Sequence, residues 1–218
     1  MCGSAAQRPA AHRYGAVFLL TFALVVFIIV SPSGDWSRAV AITLQGVALV
    51  VTFATSRARA EVRRVRAAAA GLGAALIVVG VATDVLPVAA EFALAGILAA
   101  AIPLSLVRGL VRLVAAEGVT LQAVAGALTI YLLIGLIFAW TIGFVAHVES
   151  APYFSQGIDG TAADWVYYSF VVLTTTGFGD LTAGRDVGRA AAVIEMLVGQ
   201  LYLVTVIGVL VGNFVRRH

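Results

Sequence analysis

Residues 174–180 read Thr-Thr-Thr-Gly-Phe-Gly-Asp, a polar strip set between two apolar runs. This strip constrains the fold more than any other stretch. The chain is 61% hydrophobic and 11% charged, and irregular backbone at membrane depth must be buried in protein or must line water. Gly177 and Gly179 allow dihedrals that residues bearing a Cβ avoid. Alternating them with Thr176 and Phe178 lets successive carbonyls turn the same way, so the strip presents backbone oxygen.

Composition sets the surroundings. A soluble domain is roughly half apolar and a quarter charged, whereas the mean hydropathy here is +1.03. A polytopic, all-α membrane protein is the expected fold class. All 14 basic residues are Arg, which reads as coding bias and points to a prokaryotic plasma membrane. The single Cys2 excludes an intrachain disulfide. His12, His147 and His218 are dispersed without ligand spacing, so no metal cluster and no cofactor is expected. No nucleophile–base set or phosphate loop is visible, so the chain does not read as an enzyme.

The apolar runs predict six spans. The first is residues 14–30, after a polar segment over 1–13. A cleaved leader is the rival reading, but Ser31-Pro32-Ser33 is a poor cleavage site. The loop 31–38 places Trp36 at the headgroups. The second span is 40–54. Arg57, Arg59, Arg63, Arg64 and Arg66 then mark a cytoplasmic loop, because short Arg-rich loops stay inside; between two apolar runs this outweighs a nucleic-acid surface. The third span is 67–82, with Asp84 and Glu91 in an outer loop, and the fourth is 92–107. Residues 111–119 read as a short interfacial helix, and the fifth span as 121–145. After a polar outer loop over 149–163, residues 164–173 are apolar and aromatic but too short to span, which predicts a re-entrant helix leading into the strip. The sixth span is 187–215. Both termini are then cytoplasmic. Arg185 and Arg189 beside the outer mouth are explained by snorkelling to the interface.

The stretch from Trp165 to Asp180, with Gly188-Arg189 and Gly199-Gln200-Leu201-Tyr202, resembles the pore helix, filter and inner helix of tetrameric potassium channels, prokaryotic members included. The resemblance runs from about Leu121 to the C-terminus. It implies a selectivity filter that replaces the hydration shell of K+ with rings of carbonyls. One chain supplies one strip, so it implies a homotetramer. Residue by residue, K+ is held by the carbonyls of Thr175, Thr176, Gly177 and Phe178 and by the Thr175 hydroxyl, and Gly179 completes the strip. Asp180 anchors its outer end by a hydrogen bond from Tyr167.

Two positions depart from the commonest pattern. Thr176 stands where Val or Ile is usual and brings a hydroxyl that needs a partner. Phe178 stands where Tyr is usual and lacks a bracing phenol. Val171 is apolar where some bacterial relatives carry a carboxylate. In the last span, Gln200, Leu203 and Ile207 share a face at helical spacing and are placed toward the cavity. Glu195 and Gly199 share another, toward the pore helix. An intramembrane carboxylate is a functional candidate. Glu195 is either a structural partner of a pore-helix hydroxyl such as Ser169 or a gating group. Gly199 is either a hinge or a packing position, and Gly208 and Gly212 read as packing positions.

Residues 14–118 read as a four-helix, sensor-like domain and 119–218 as the pore domain. The span 92–107 has no basic residue, so little voltage dependence is expected. Gly71 and Gly73 follow no strand and read as helix packing, not a dinucleotide fingerprint. With three residues after Val215, regulation is expected from lipid, pH, the filter or a partner; His218 beside Arg216 and Arg217 is a candidate proton sensor or simply a solvated end. The partners implied are K+, lipid and further copies of the chain, with no nucleic acid. Two other readings stay open: a non-selective monovalent cation channel, and a secondary carrier or inert bundle, although carriers show internal repeats and none is visible.

Overall fold

The structure is a computed structural model of the chain. It describes residues 14–32, 34–55 and 87–215, and between them 71–73, 75 and 79. The expected Arg-rich loop, most of the expected third span, Asp84 and the terminal segments with Cys2, His12 and His218 lie outside the described residues.

Among those residues the chain is helical. Helix α1 is Tyr14–Val30, α2 is Asp35–Thr55, α3 is Val88–Glu117, α4 is Leu121–Val148, α5 is Ala162–Leu173 and α6 is Asp186–Leu201. A π-helical segment, Tyr202–Ile207, joins α6 to α7, Gly208–Val215. The extended pairing is one isolated antiparallel bridge, Phe154 to Ala183. Among the described residues, three helical stretches are long and apolar enough to cross a membrane: Ala89–Ala115, Leu121–Val148 and Asp186–Asn213. Helix α1, at 17 residues, stands at the lower end of spanning length, about 17–25 residues.

Helix α4 is the axis of the packing. It touches α1, α3, α5, α6, the π segment and α7. Its start is fixed by Thr120, whose hydroxyl accepts from the Ala123 N–H at 3.2 Å, satisfying one otherwise orphaned donor. Its buried positions include Ala123, Ala127, Leu133, Leu136, Ala139 and Ile142. Small residues here let neighbouring helices approach closely, as apolar packing within lipid requires. Polar groups bind helix to helix. The Gln122 Oε1 accepts from the Gly15 N–H at 3.1 Å, and Gln45 donates to the Ala95 carbonyl at 2.9 Å.

Two expectations are corrected. Residues 92–107 and 111–119 are not a span followed by a separate interfacial helix but parts of the single 30-residue α3. The apolar stripe explains this: Phe92, Ala95, Ala99, Ile102, Leu106, Leu110 and Leu113 are all buried at steps of three and four residues, the period of one continuous helical face. Gly109 does not break it, because the Tyr14 ring packs where its side chain would be, with the phenolic oxygen 2.5 Å from an added Cβ. The helix stops only at Gly118, φ 74°. Second, α2 begins at Asp35, so Trp36 lies on a helix and not in the loop; its ring meets Phe27 edge-on at 6.3 Å. The sixth expected span, 187–215, coincides with the apolar stretch Asp186–Asn213, within which the π segment lies.

Candidate functional site

The site begins with α5. Its first turn carries a complete capping box: the Thr161 hydroxyl accepts from the Asp164 N–H, and the Asp164 carboxylate accepts from the Thr161 N–H at 2.7 Å. Two orphan donors are thereby satisfied reciprocally. We predict that Thr161→Ala costs about 1 kcal/mol, read as a lowered thermal midpoint; an unchanged midpoint would count against the cap. Over its length of about 18 Å at 1.5 Å per residue, α5 is shorter than a hydrocarbon core of about 30 Å.

The helix is held rigidly. Trp165 donates its indole N–H to the Asp159 carbonyl at 2.7 Å and stacks edge-on against Phe92 at 4.8 Å. The indole lies so close to Gly143 of α4 that a Cβ there would stand 2.6 Å from the ring. Trp165, Val166, Tyr168, Ser169, Val171 and Leu173 are buried. By contrast, every residue from Thr174 to Asp180 is exposed in the single chain.

The strip has an alternating backbone. Thr175, Gly177 and Gly179 have φ of 57°, 62° and 82°. Thr176 and Phe178 between them are not among the positive-φ residues. Left-handed backbone is tolerated by glycine but is a true outlier for a β-branched residue, so Thr175 carries strain. Such strain persists only where surrounding structure over-determines it. Here the Thr175 N–H donates to the Val172 carbonyl and the Thr176 N–H to the Val171 carbonyl, each at 2.9 Å. Alternation of hand cancels the helical rotation from one peptide to the next, which lets successive carbonyls turn to the same side.

Side chains complete the strip. The Thr176 hydroxyl finds the Thr174 hydroxyl at 2.8 Å, which answers its need for a partner. Thr175 Oγ1 accepts from the Gln200 amide of α6 at 3.0 Å. Asp180 interacts with the Tyr167 hydroxyl. Phe178 is 68% exposed.

Sequence reasoning missed Gln156. Its amide nitrogen donates to the Asp180 carbonyl at 2.7 Å, and its Oε1 accepts from the Thr182 N–H at 3.4 Å. The loop is further zipped to the strip's exit by Ser155 N–H to the Thr182 carbonyl, 2.8 Å, and Gly184 N–H to the Tyr153 carbonyl, 2.9 Å. A lone Gln in a polar loop carries no local signal of this. Arg185 forms an ion pair with Glu149 at 2.8 Å, linking the end of α4 to the start of α6.

On α6, Glu195 is 1% and Ser169 of α5 is 0% exposed, and the two are hydrogen-bonded. Gly199 is pressed against α5: an added Cβ would lie 2.5 Å from the Leu173 carbonyl oxygen and 2.8 Å from Leu173 Cδ1. That contact accounts for glycine by packing alone. Gly208 and Gly212 differ. A Cβ at Gly208 would meet only the Leu203 carbonyl at 3.7 Å and one at Gly212 nothing within 4 Å, so neither serves close packing within the described part of the chain. The expected stripe of Gln200, Leu203 and Ile207 runs into a change of helix geometry. Their spacing is that of an α-helix, whereas Tyr202–Ile207 is π-helical, and i→i+5 bonding shifts the phase of the helix beyond it. Ile207 packs against the core, and Val204, at 71% exposure, faces outward.

A family model described as "Ion channel", Ion_trans_2, matches residues 126–216, from the first turns of α4 through the strip to α7. No curated protein and no solved structure matches the chain. The match supports an ion-channel family and ion passage in place of enzymatic chemistry, and with the three long apolar helices it supports an integral membrane protein.

Proposed function

We propose that the chain is a subunit of a homotetrameric potassium channel, with residues 174–180 as the selectivity filter on the four-fold axis. One observation carries the proposal: positive φ at Thr175, Gly177 and Gly179, every second residue of a strip that comes directly after a short, tightly seated helix. Carbonyls aimed to one side suit a dehydrated monovalent cation once several copies close a ring. In this reading α5 is re-entrant, α4 is the outer helix and α6–α7 the inner helix of a pore domain over 119–218. Residues 14–118 form a sensor-like domain, six spans cross the membrane, and both termini are cytoplasmic in a prokaryotic plasma membrane.

The exposed face of α6 and the π segment supports assembly. Val193, Ile194, Leu197, Leu201 and Val204 are all at least half exposed in the single chain, an apolar surface that lipid and neighbouring copies would cover. K+ is liganded by the carbonyls of Thr175, Thr176, Gly177 and Phe178 and by the Thr175 hydroxyl. The Gln200 amide of the inner helix then donates to that innermost ligand. Tyr167 and Gln156 hold Asp180 at the outer end. No resident cofactor is required.

Purified protein in liposomes is expected to carry K+ flux at least about tenfold above Na+, a discrimination of ~1.4 kcal/mol, blocked by barium and with a shallow dependence on voltage. Equal K+ and Na+ flux would support a second reading, a non-selective cation channel, which the exposed, hydroxyl-free Phe178 favours. Absence of flux under any gradient would return the chain to the carrier or inert-bundle readings.

A further inference from the structure

We infer that Glu195 is held as a neutral carboxylic acid and acts as a positioning residue for the helix that carries the strip, at the head of a relay running Glu195 to Ser169 to Gly135. The inference rests on hydrogen-bond stoichiometry. Ser169 Oγ stands 2.7 Å from the Gly135 carbonyl of α4 and also within hydrogen-bond contact of Glu195 Oε1 on α6. A serine hydroxyl has one proton. The Gly135 carbonyl can only accept, and it already takes a helical N–H within α4. With the Ser169 proton on Gly135, the contact with Glu195 needs a proton from the carboxyl. An ionised Glu195 would draw the Ser169 proton to itself and still be a buried charge with one hydrogen-bond partner.

Among the described residues, the surroundings offer no cation to hold a carboxylate. The ionisable side chains that interact with Glu195 there are phenols: Tyr131 on α4, Tyr168 on α5 and Tyr153 in the outer loop. On its own helix, Arg189 turns to the Ala183 carbonyl and to Asp186. Arg185 is engaged by Glu149. The space beside the carboxyl is lined by Phe138, Thr141, Ile142, Ala191 and Ala192. Burial of an unpaired charge among such groups is costly, and a neutral acid with one acceptor is the state that fits.

The relay ties three helices together at Ser169, midway along α5. Protonated, it fixes α5 against α4 and α6. Ionised, it turns the Ser169 proton to itself and releases the bond from α5 to the Gly135 carbonyl. Its effect on conduction rests on the pore reading above; the state of the carboxyl does not.

Infrared difference spectra of the membrane-embedded protein, wild type against Glu195→Gln, test the proton directly. At neutral pH the wild type is expected to show a carboxylic-acid C=O stretch that Glu195→Gln removes. Ser169→Ala, which deletes the acceptor, moves that band toward the position of an unbonded acid. Carboxylate bands in their place overturn the inference. Positioning is read from flux and from the thermal midpoint at neutral and strongly alkaline pH. Wild-type flux is expected to fall about tenfold as Glu195 ionises, the scale of one buried group left unsatisfied, and the midpoint to fall with it. Glu195→Gln keeps an N–H donor to Ser169 and cannot ionise, so it holds both. Parallel pH profiles for the two proteins overturn the positioning role. If neither conducts, the pore reading fails, and the infrared band and the midpoint still decide this inference.

Discussion

Replacing Gly177 with alanine is expected to abolish K+ flux while leaving the helices intact. Gly177 has φ of 62° with nothing within 4 Å of an added Cβ, so space is not the obstacle. The backbone is. Left-handed geometry costs a residue with a Cβ about 1–2 kcal/mol, and four copies in the proposed ring multiply this to roughly 4–8 kcal/mol. The strip relieves that strain by rotating a peptide, which turns a carbonyl off the axis in every subunit. Liposome flux is expected to drop by at least about a hundredfold, equivalent to ~2.7 kcal/mol. Helical content, followed by circular dichroism, is expected to stay constant. Retained flux in Gly177→Ala would remove the main support for carbonyl coordination.

The second large effect is at Gly199. Alanine there places a Cβ 2.5 Å from the Leu173 carbonyl, a backbone atom that cannot rotate away. Either α6 retreats from α5 or the C-terminal turn of α5 shifts, and the strip begins one residue later. Overpacking of this kind costs about 1–3 kcal/mol per site, so the protein's thermal midpoint is expected to fall by several degrees and flux to fall with it. Gly212→Ala, where the added methyl meets nothing, is the control and is expected to leave the midpoint unchanged. Equal effects from the two substitutions would mean that close packing does not set the demand for glycine at 199. A hinge role would instead show as altered opening with an unchanged midpoint.

The π segment sits three residues beyond Gly199, over Tyr202–Ile207. Such segments occur often at functional positions in helices. Here it is anchored on one side, where Tyr202 donates its hydroxyl to the Ala127 carbonyl at 2.8 Å and stacks on Tyr131 at 6.1 Å. On the opposite side Val204 and Thr205 are exposed. Helix α6 is therefore fixed at Glu195 and Gly199 and the π segment at Tyr202, and α7 beyond them continues with a different phase.

Much of this is legible in the amino-acid sequence. Apolar composition and run length were enough for a helical membrane protein, because lipid leaves the backbone few other ways to satisfy its polar groups. The two glycines of the strip announced left-handed backbone, since only glycine enters it freely. The contact between Ser169 and Glu195 came from placing a buried carboxylate opposite a pore-helix hydroxyl. These inferences rest on local chemistry, where a residue type limits its own conformation or the polarity of its surroundings.

What tertiary structure alone decided has a common cause: partners far apart in the chain. Thr175 is left-handed because the end of α5 and Gln200, 25 residues on, hold it there. Gln156 became part of the site through a carbonyl 24 residues away. Gly135 turned a two-residue contact into a relay that specifies a proton. Helix α3 runs unbroken past Gly109 because Tyr14, on another helix, fills the notch. Composition and residue type determined that this chain forms apolar helices and exposes a glycine-bearing strip; long-range packing decided the strip's handedness, its braces and the register of the helix beneath it, because each is set by contacts that no window along the sequence contains.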